Sequence, residues 1–312
     1  MQTTETAETT GRAETTGTAE ASGTATAAAA AKHPPRVEVP HLSFDEFARR
    51  GVAAISRDDV PVVVRMPAPV DRGAPVERIK EVLGDSTVAL FRKSKDPWSP
   101  ERSVVTKIRL SEFFDESVYN APGDTNWYRI VTNIRNRPDD ITRLLGVDLR
   151  KYFDYQAPLN SANVWLNYRD QFGRSHFDEF ENFNIQLIGS KRFLLMAPGV
   201  RNFYTRSLLR GFGHHSAVPD LERADLERFP RLREELSTLR SVVLEPGQML
   251  YLPLGWWHQV HPLGHFNVNL NFWLKSPKIL KRPYVLVDAL YKATFRKLMG
   301  RYDYQPEALN AK

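Results

Sequence analysis

The chain of 312 residues contains no cysteine. That absence excludes disulfides, thiolate nucleophiles, Cys-ligated zinc and iron–sulfur clusters, so metal or nucleophile chemistry has to rest on histidine, carboxylates or hydroxyls. No run of about 18 apolar residues is present, which argues against a membrane-spanning helix. Residues 1–33 lack aromatics and also Leu, Ile and Val. Such a stretch cannot bury enough apolar surface to offset chain entropy, and 1–36 reads as a disordered low-complexity tail. Its Ala27–Ala31 run is too short for a secretory signal, and Arg12 against four Glu is the wrong balance for a mitochondrial presequence. A cytoplasmic location is expected. No Lys/Arg-rich run interleaved with aromatics occurs, so nucleic acid is an unlikely partner.

What is present is an ordinary globular composition, 42% hydrophobic with a net charge of +6. The charge is uneven. Residues 275–312 hold nine basic side chains against Asp288, Asp303 and Glu307, so most of the excess sits in a C-terminal basic helix whose stripe is Tyr284, Val287, Tyr291, Phe295 and Leu298, with Gly300 as its stop. Residues 37–155 read as mixed α and β: Ser43-Phe-Asp-Glu46 has the capping-box spacing, Val60–Arg65 reads as a buried strand, and Ile108–Phe114 as a strand running into a short helix. From 156 to 274 the texture changes to short strand candidates broken by Gly and Pro: Ala162–Tyr168, His176–Ile188, Arg192–Met196, Ser241–Leu244, Gln248–Leu252 and Asn267–Leu274. A polar insertion over 200–240 interrupts them. This pattern predicts a mainly β protein with flanking helices, a sandwich or barrel.

The chemistry is concentrated in His176-Phe-Asp178. Residues i and i+2 of a strand project from one face, so both side chains can reach one ion. His258, after Glu245-Pro-Gly-Gln-Met-Leu-Tyr-Leu-Pro-Leu-Gly-Trp-Trp257, is the candidate third ligand. Two His and one carboxylate on one face of an octahedron leave three positions open, the arrangement of non-haem Fe(II) oxygenases. His-x-Asp alone is a common tripeptide, and His214, His215, His261 and His265 are further potential ligands that no alternation singles out. Asn182, Asn184 and Gln186 share parity with His176 and Asp178, and Asn267, Asn269 and Asn271 form a second polar row opposite Val268, Leu270 and Phe272. Such rows either face water or line an interior that needs a polar guest.

The runs HFDEFENFNIQLIGSKRFLLMAP from His176, EPGQMLYLPLGWWHQV from Glu245 and NVNLNFWL from Asn267 occur in this order. Together they resemble the JmjC-type cupin oxygenases, in particular the asparaginyl hydroxylases and their bacterial cupin-like relatives, over about 37–274. The resemblance implies a double-stranded β-helix (cupin, jelly-roll) barrel, with Fe(II) on His176, Asp178 and His258. It also implies Lys191 pairing with the distal carboxylate of 2-oxoglutarate, with Asn182, Asn271 and Tyr128 lining the same pocket. One ammonium in a dry pocket suits a dicarboxylate. Two departures stand out: Gly173 replaces a Thr three residues before the first His, and Asn184 replaces a Phe.

The activity so implied is Fe(II)-, O2- and 2-oxoglutarate-dependent hydroxylation of a peptide or protein side chain, or of an amino-acid-like small molecule, with release of succinate and CO2. A modified-tRNA or N-methyl (demethylase-type) substrate and a non-catalytic cupin-fold binding protein are the alternatives. The basic C-terminal helix either forms a homodimer, as the resemblance implies, or packs back on its own barrel.

Overall fold

The computed structural model describes residues 37–93, 104–115, 126–169, 173–199, 203–206, 208, 213–218 and 220–299. The tail over 1–36 and the helix stop at Gly300 lie outside these residues, and Phe295 and Leu298 are described in backbone only.

Local rules set the N-terminal part. The Ser43 hydroxyl accepts from the Glu46 amide at 3.1 Å and caps α1 (Phe44–Arg50), which sends Phe44 and Phe47 into the core. After it come α2 (Val52–Asp58), α3 (Val76–Leu83) and α4 (Pro138–Leu145), the last with Pro at its first turn and Gly146 in the left-handed conformation at its end. The strands are β1 (His41–Ser43), β2 (Val62–Arg65), β3 (Thr87–Lys93), β4 (Val104–Arg109), β5 (Trp127–Asn133), β6 (Leu159–Tyr168), β7 (His176–Phe177), β8 (Glu181–Met196), β9 (Arg240–Leu244), β10 (Gln248–Leu252) and β11 (Trp257–Leu274). They run in the order β1-β2-β10-β8-β11-β6-β5-β3-β4, with β7 added to β11 and β9 to β8.

Two long strands tie the fold together. The first half of β8 pairs with β10 and with the end of β11, and its second half pairs with β9 and with the start of β11. Between the halves the register jumps from Leu263 opposite Ser190 to Val268 opposite Ile188. Gly189 sits at this bulge with φ +65°, and a Cβ there would lie 2.7 Å from Asn267 Nδ2. The break expected between Ile188 and Arg192 is therefore a bulge within one strand, and Arg192–Met196 is the end of β8 rather than a separate element. Conversely, His176–Ile188 is not one strand: the chain leaves β7 after Phe177 and turns through 178–180 before β8 starts.

The same strands serve two environments. Phe183, Ile185, Val268, Leu270 and Phe272 belong to the larger apolar core, which α1 to α4 cover from outside. On the other side Leu250 and Leu252 of β10 meet Phe193 and Leu195 in the second half of β8, where β10 does not pair, and Leu244 of β9, which defines the barrel interior. The architecture is the mainly β cupin jelly roll with flanking helices. A third apolar cluster lies outside β7 and the start of β11. Phe203, Val218, Leu221, Phe229 and α5 (Leu232–Leu236) of the 200–240 insertion join Phe177 and Trp257 there.

α6 (Pro283–Met299) packs on that cluster through Tyr284, the first residue of the predicted stripe, and Val285. Val285 and Asp288 are buried, whereas Val287 of the predicted stripe is 50% exposed. Within the helix Lys292 Nζ lies 2.7 Å from Asp288, an i, i+4 ion pair that hydropathy spacing does not reveal. No helix among the described residues is long and apolar enough to cross a membrane.

Candidate functional site

β7 sits beside β11 so that His176 is the direct partner of His258. Asp178 follows β7 and is held there by its own carbonyl, which accepts from the Gly255 amide at 3.1 Å. The result is convergence: one ligand atom each from His176, Asp178 and His258 lie within 4.8 Å of one another. His258 Nε2 is 3.7 Å from Asp178 Oδ2, and His176 Nε2 is 4.0 Å from Asp178 Oδ1. His176 Nδ1 faces the Arg174 carbonyl at 2.9 Å and His258 Nδ1 the Trp256 carbonyl at 3.0 Å. Each Nδ1 therefore carries the proton and donates it, which leaves both Nε2 lone pairs turned toward the carboxylate.

The electrostatics suit a cation. Burial pushes the Asp178 carboxyl up, but His258, His176 and an Asn182 hydrogen bond outweigh it and hold the group below the usual carboxylate range. Burial, aided by His176, pushes His258 down to about 4, so its imidazole is neutral at pH 7 and free to ligate. Two imidazoles and one carboxylate converging from one side fit Fe(II).

Behind the triad runs a buried amide network. Trp165 Nε1 donates to Asn271 Oδ1 at 2.9 Å, Asn271 Nδ2 to Asn182 Oδ1 at 3.3 Å, and Asn182 Nδ2 to Asp178 Oδ2 at 3.2 Å. One step further in, Asn269 Nδ2 donates to Asn184 Oδ1 at 3.4 Å and Gln186 Nε2 to Asn267 Oδ1 at 2.8 Å. All six amides of the two predicted rows are buried, so the rows face the interior and not water. Lys191 joins them at 6% exposure and donates to Asn269 Oδ1. Burial foremost, then the charge of Arg129, lowers its pKa to about 7. Among the described residues its hydrogen-bond partner is this neutral amide and no carboxylate pairs with it, so the pocket offers a place for an anion.

Tyr128 is not part of this row. β5 pairs Tyr128 with Tyr168 and Arg129 with Asn167, which turns Tyr128 into the apolar core and Arg129 toward the polar face. The Arg129 guanidinium lies 5.4–5.6 Å from the rings of Phe91, Trp127 and Trp165. Arg129 and Trp165 are site-facing residues that motif reasoning missed; Trp165 shares parity with Asn163 and Asn167 on β6, whereas Arg129 is placed only by its pairing with Asn167. The departure at Gly173 has a steric cause: a Cβ there would lie 2.6 Å from the Val260 carbonyl oxygen, so Thr does not fit. Of the other histidines, His261 meets Gln259 at 2.7 Å and His265 lies against Tyr168, while His214 and His215 stand behind His176.

Comparison with known proteins agrees with this geometry. A family model described as Cupin-like domain matches residues 22–278. The chain belongs to this family, of JmjC-type cupin 2-oxoglutarate oxygenases. Similar members include Lysine-specific demethylase JMJ31 of Arabidopsis thaliana, 29% identical over 40% of this chain and 23% of the relative. Lysine-specific demethylase 8 of Xenopus tropicalis is 28% identical over 64% and 43%, and human HSPB1-associated protein 1 is 29% identical over 40% and 26%. The matches thus span less than half the length of these relatives. The cofactor set of JmjC cupin enzymes is Fe(II), 2-oxoglutarate and O2, and the residues present here fit it.

Proposed function

We propose that the chain is an Fe(II)- and 2-oxoglutarate-dependent dioxygenase that hydroxylates a C–H bond of a peptide or protein side chain, or of an amino-acid-like small molecule. The observation that carries the reading is the junction of the His176, Asp178 and His258 ligand atoms with a buried amide row that ends in a buried lysine with which no carboxylate of the described residues pairs. In this reading His176, Asp178 and His258 hold the metal, Lys191 receives the distal carboxylate of 2-oxoglutarate, and Asn182 and Asn271 brace Asp178. When bound, iron with 2-oxoglutarate and O2 supplies the oxidising power, and the cosubstrate leaves as succinate and CO2. The chain's part is to orient one bond and to exclude water, which the apolar cluster of Leu250, Leu252 and Trp256 favours.

A second reading, removal of an N-methyl group, is favoured by the names of two relatives. Against it, the aromatic cluster beside the polar face, Phe91, Trp127 and Trp165, already surrounds the chain's own Arg129, so that cluster is no empty cage for a methylammonium. Residues 37–274 form the catalytic unit in this proposal, in the cytoplasm, and Val287 and Leu290 on the outer side of α6 are its candidate homodimer contact, which the mass of the full chain in solution tests.

Succinate release from the purified chain with Fe(II) and 2-oxoglutarate, against His176→Ala as control, tests the oxygenase reading. Release should vanish in the variant; equal release from both overturns the assignment. Mass spectrometry then separates a 16 Da gain from formaldehyde production.

A further inference from the structure

We infer that α6 belongs to the metal centre, with Asp288 as a positioning residue that braces the ligand-bearing segments from behind. The inference rests on the metal assignment above and adds residues that neither the motif nor the family match supplies.

Helix α6 reaches all three ligand-bearing segments. Tyr284 donates its hydroxyl proton to the Gly255 carbonyl at 3.1 Å, and the Gly255 amide in turn holds the Asp178 carbonyl. Gly255 has φ +79°, and a Cβ there would lie 2.8 Å from the Tyr284 oxygen, so helix and turn fit only without a side chain. The Tyr284 ring also stands edge-on to Phe177, between the two ligands His176 and Asp178, at 5.3 Å. One turn further, Asp288 is 2% exposed and lies 3.6 Å from His214 Nδ1. The His214 carbonyl accepts from the Phe177 amide, and His215 bridges His176 backbone to backbone. Lys292 completes the clamp, 2.7 Å from Asp288 and 3.9 Å from Glu179, the neighbour of Asp178.

A carboxylate buried this deeply costs folding energy that an apolar residue would not. Burial works against its ionisation, while His214 and Lys292 outweigh burial and keep it charged. By position the carboxylate stands between the two ligand segments: His214, 3.6 Å away, leads to the His176 strand, and Lys292, 2.7 Å away, leads to Glu179 in the Asp178 turn. Residues that orient metal ligands from outside typically change metal affinity 10–100-fold.

Co(II) titration of the full-length, metal-free protein, read by the visible absorption of the bound ion, tests this. Wild type should bind and His176→Ala should not. Asp288→Asn should weaken binding by about tenfold and Lys292→Met by less; Lys292→Arg, which keeps the cation, should recover most of that loss. Ala293→Ser, at an exposed position of the same helix, should bind as wild type. If Asp288→Asn does not fold, the Lys292 pair of variants carries the test. Affinities of the folded Asp288→Asn and Lys292→Met variants within about twofold of wild type overturn the inference and leave the metal assignment standing. A wild type that binds no Co(II) overturns both.

Discussion

On β11, Val268, Leu270 and Phe272 enter an apolar core that four helices close, while Asn267, Asn269 and Asn271, one residue out of step, line a barrel interior among other amides. The alternation repeats on β8, with Phe183, Ile185 and Leu187 on one side and Asn182, Asn184 and Gln186 on the other. Both faces are equally buried. The apolar face gains by leaving water, whereas every amide on the polar face loses its water and recovers only what its neighbours return. Along these two strands stability thus comes mainly from the apolar face, and in the proposed reading the amide face is tolerated for what it binds.

Variants on the two faces should therefore fail in different ways. The largest loss of stability is expected at Phe183→Ala. The ring is fully buried among Phe47, Phe153 and Tyr251, so the change should cost about 3–5 kcal/mol in denaturant unfolding. On the polar face Lys191→Met should leave stability at neutral pH unchanged or raised, because a buried cation is removed, while 2-oxoglutarate affinity falls on the order of 100-fold. Asn182→Ala, which releases Asp178, should lower metal affinity about tenfold and stability by only about 1 kcal/mol.

The pH dependence sharpens the contrast. The Lys191 amine titrates near 7 in the folded chain and at the ordinary lysine value of 10.5 in the unfolded one. Between those values the unfolded state binds more protons, so this group makes ligand-free stability rise with pH across that window. Affinity for a dicarboxylate needs the protonated amine and should fall by up to about tenfold per pH unit above 7. Lys191→Met should flatten both slopes, which paired unfolding and binding series would show.

Much of this was legible in the sequence because a period of two survives any detail of strand length. The Asn rows, the capping box at Ser43 and the strand texture after 156 were read from alternation and turn residues. The metal triad was legible for a reason only partly right: β7 is two residues long, and Asp178 is placed by Gly255 rather than by a continuing strand. Where the sequence misled, one residue of register or one helix face was at stake. Tyr128 and Arg129 are adjacent, and only the pairing with Tyr168 and Asn167 decides which of them faces the pocket. On α6 the hydropathy stripe held for Tyr284 and failed for Val287, which is exposed, while Asp288 is buried facing His214, a contact far away in sequence.

The central claim, that the polar face exists to hold a metal and a dicarboxylate together, is tested most directly by calorimetric titration of 2-oxoglutarate into the full chain with and without Mn(II) in place of iron. The account predicts binding that requires the metal, disappears in His176→Ala, and is strongly weakened in Lys191→Met. Binding that is indifferent to the metal and to Lys191 would contradict it.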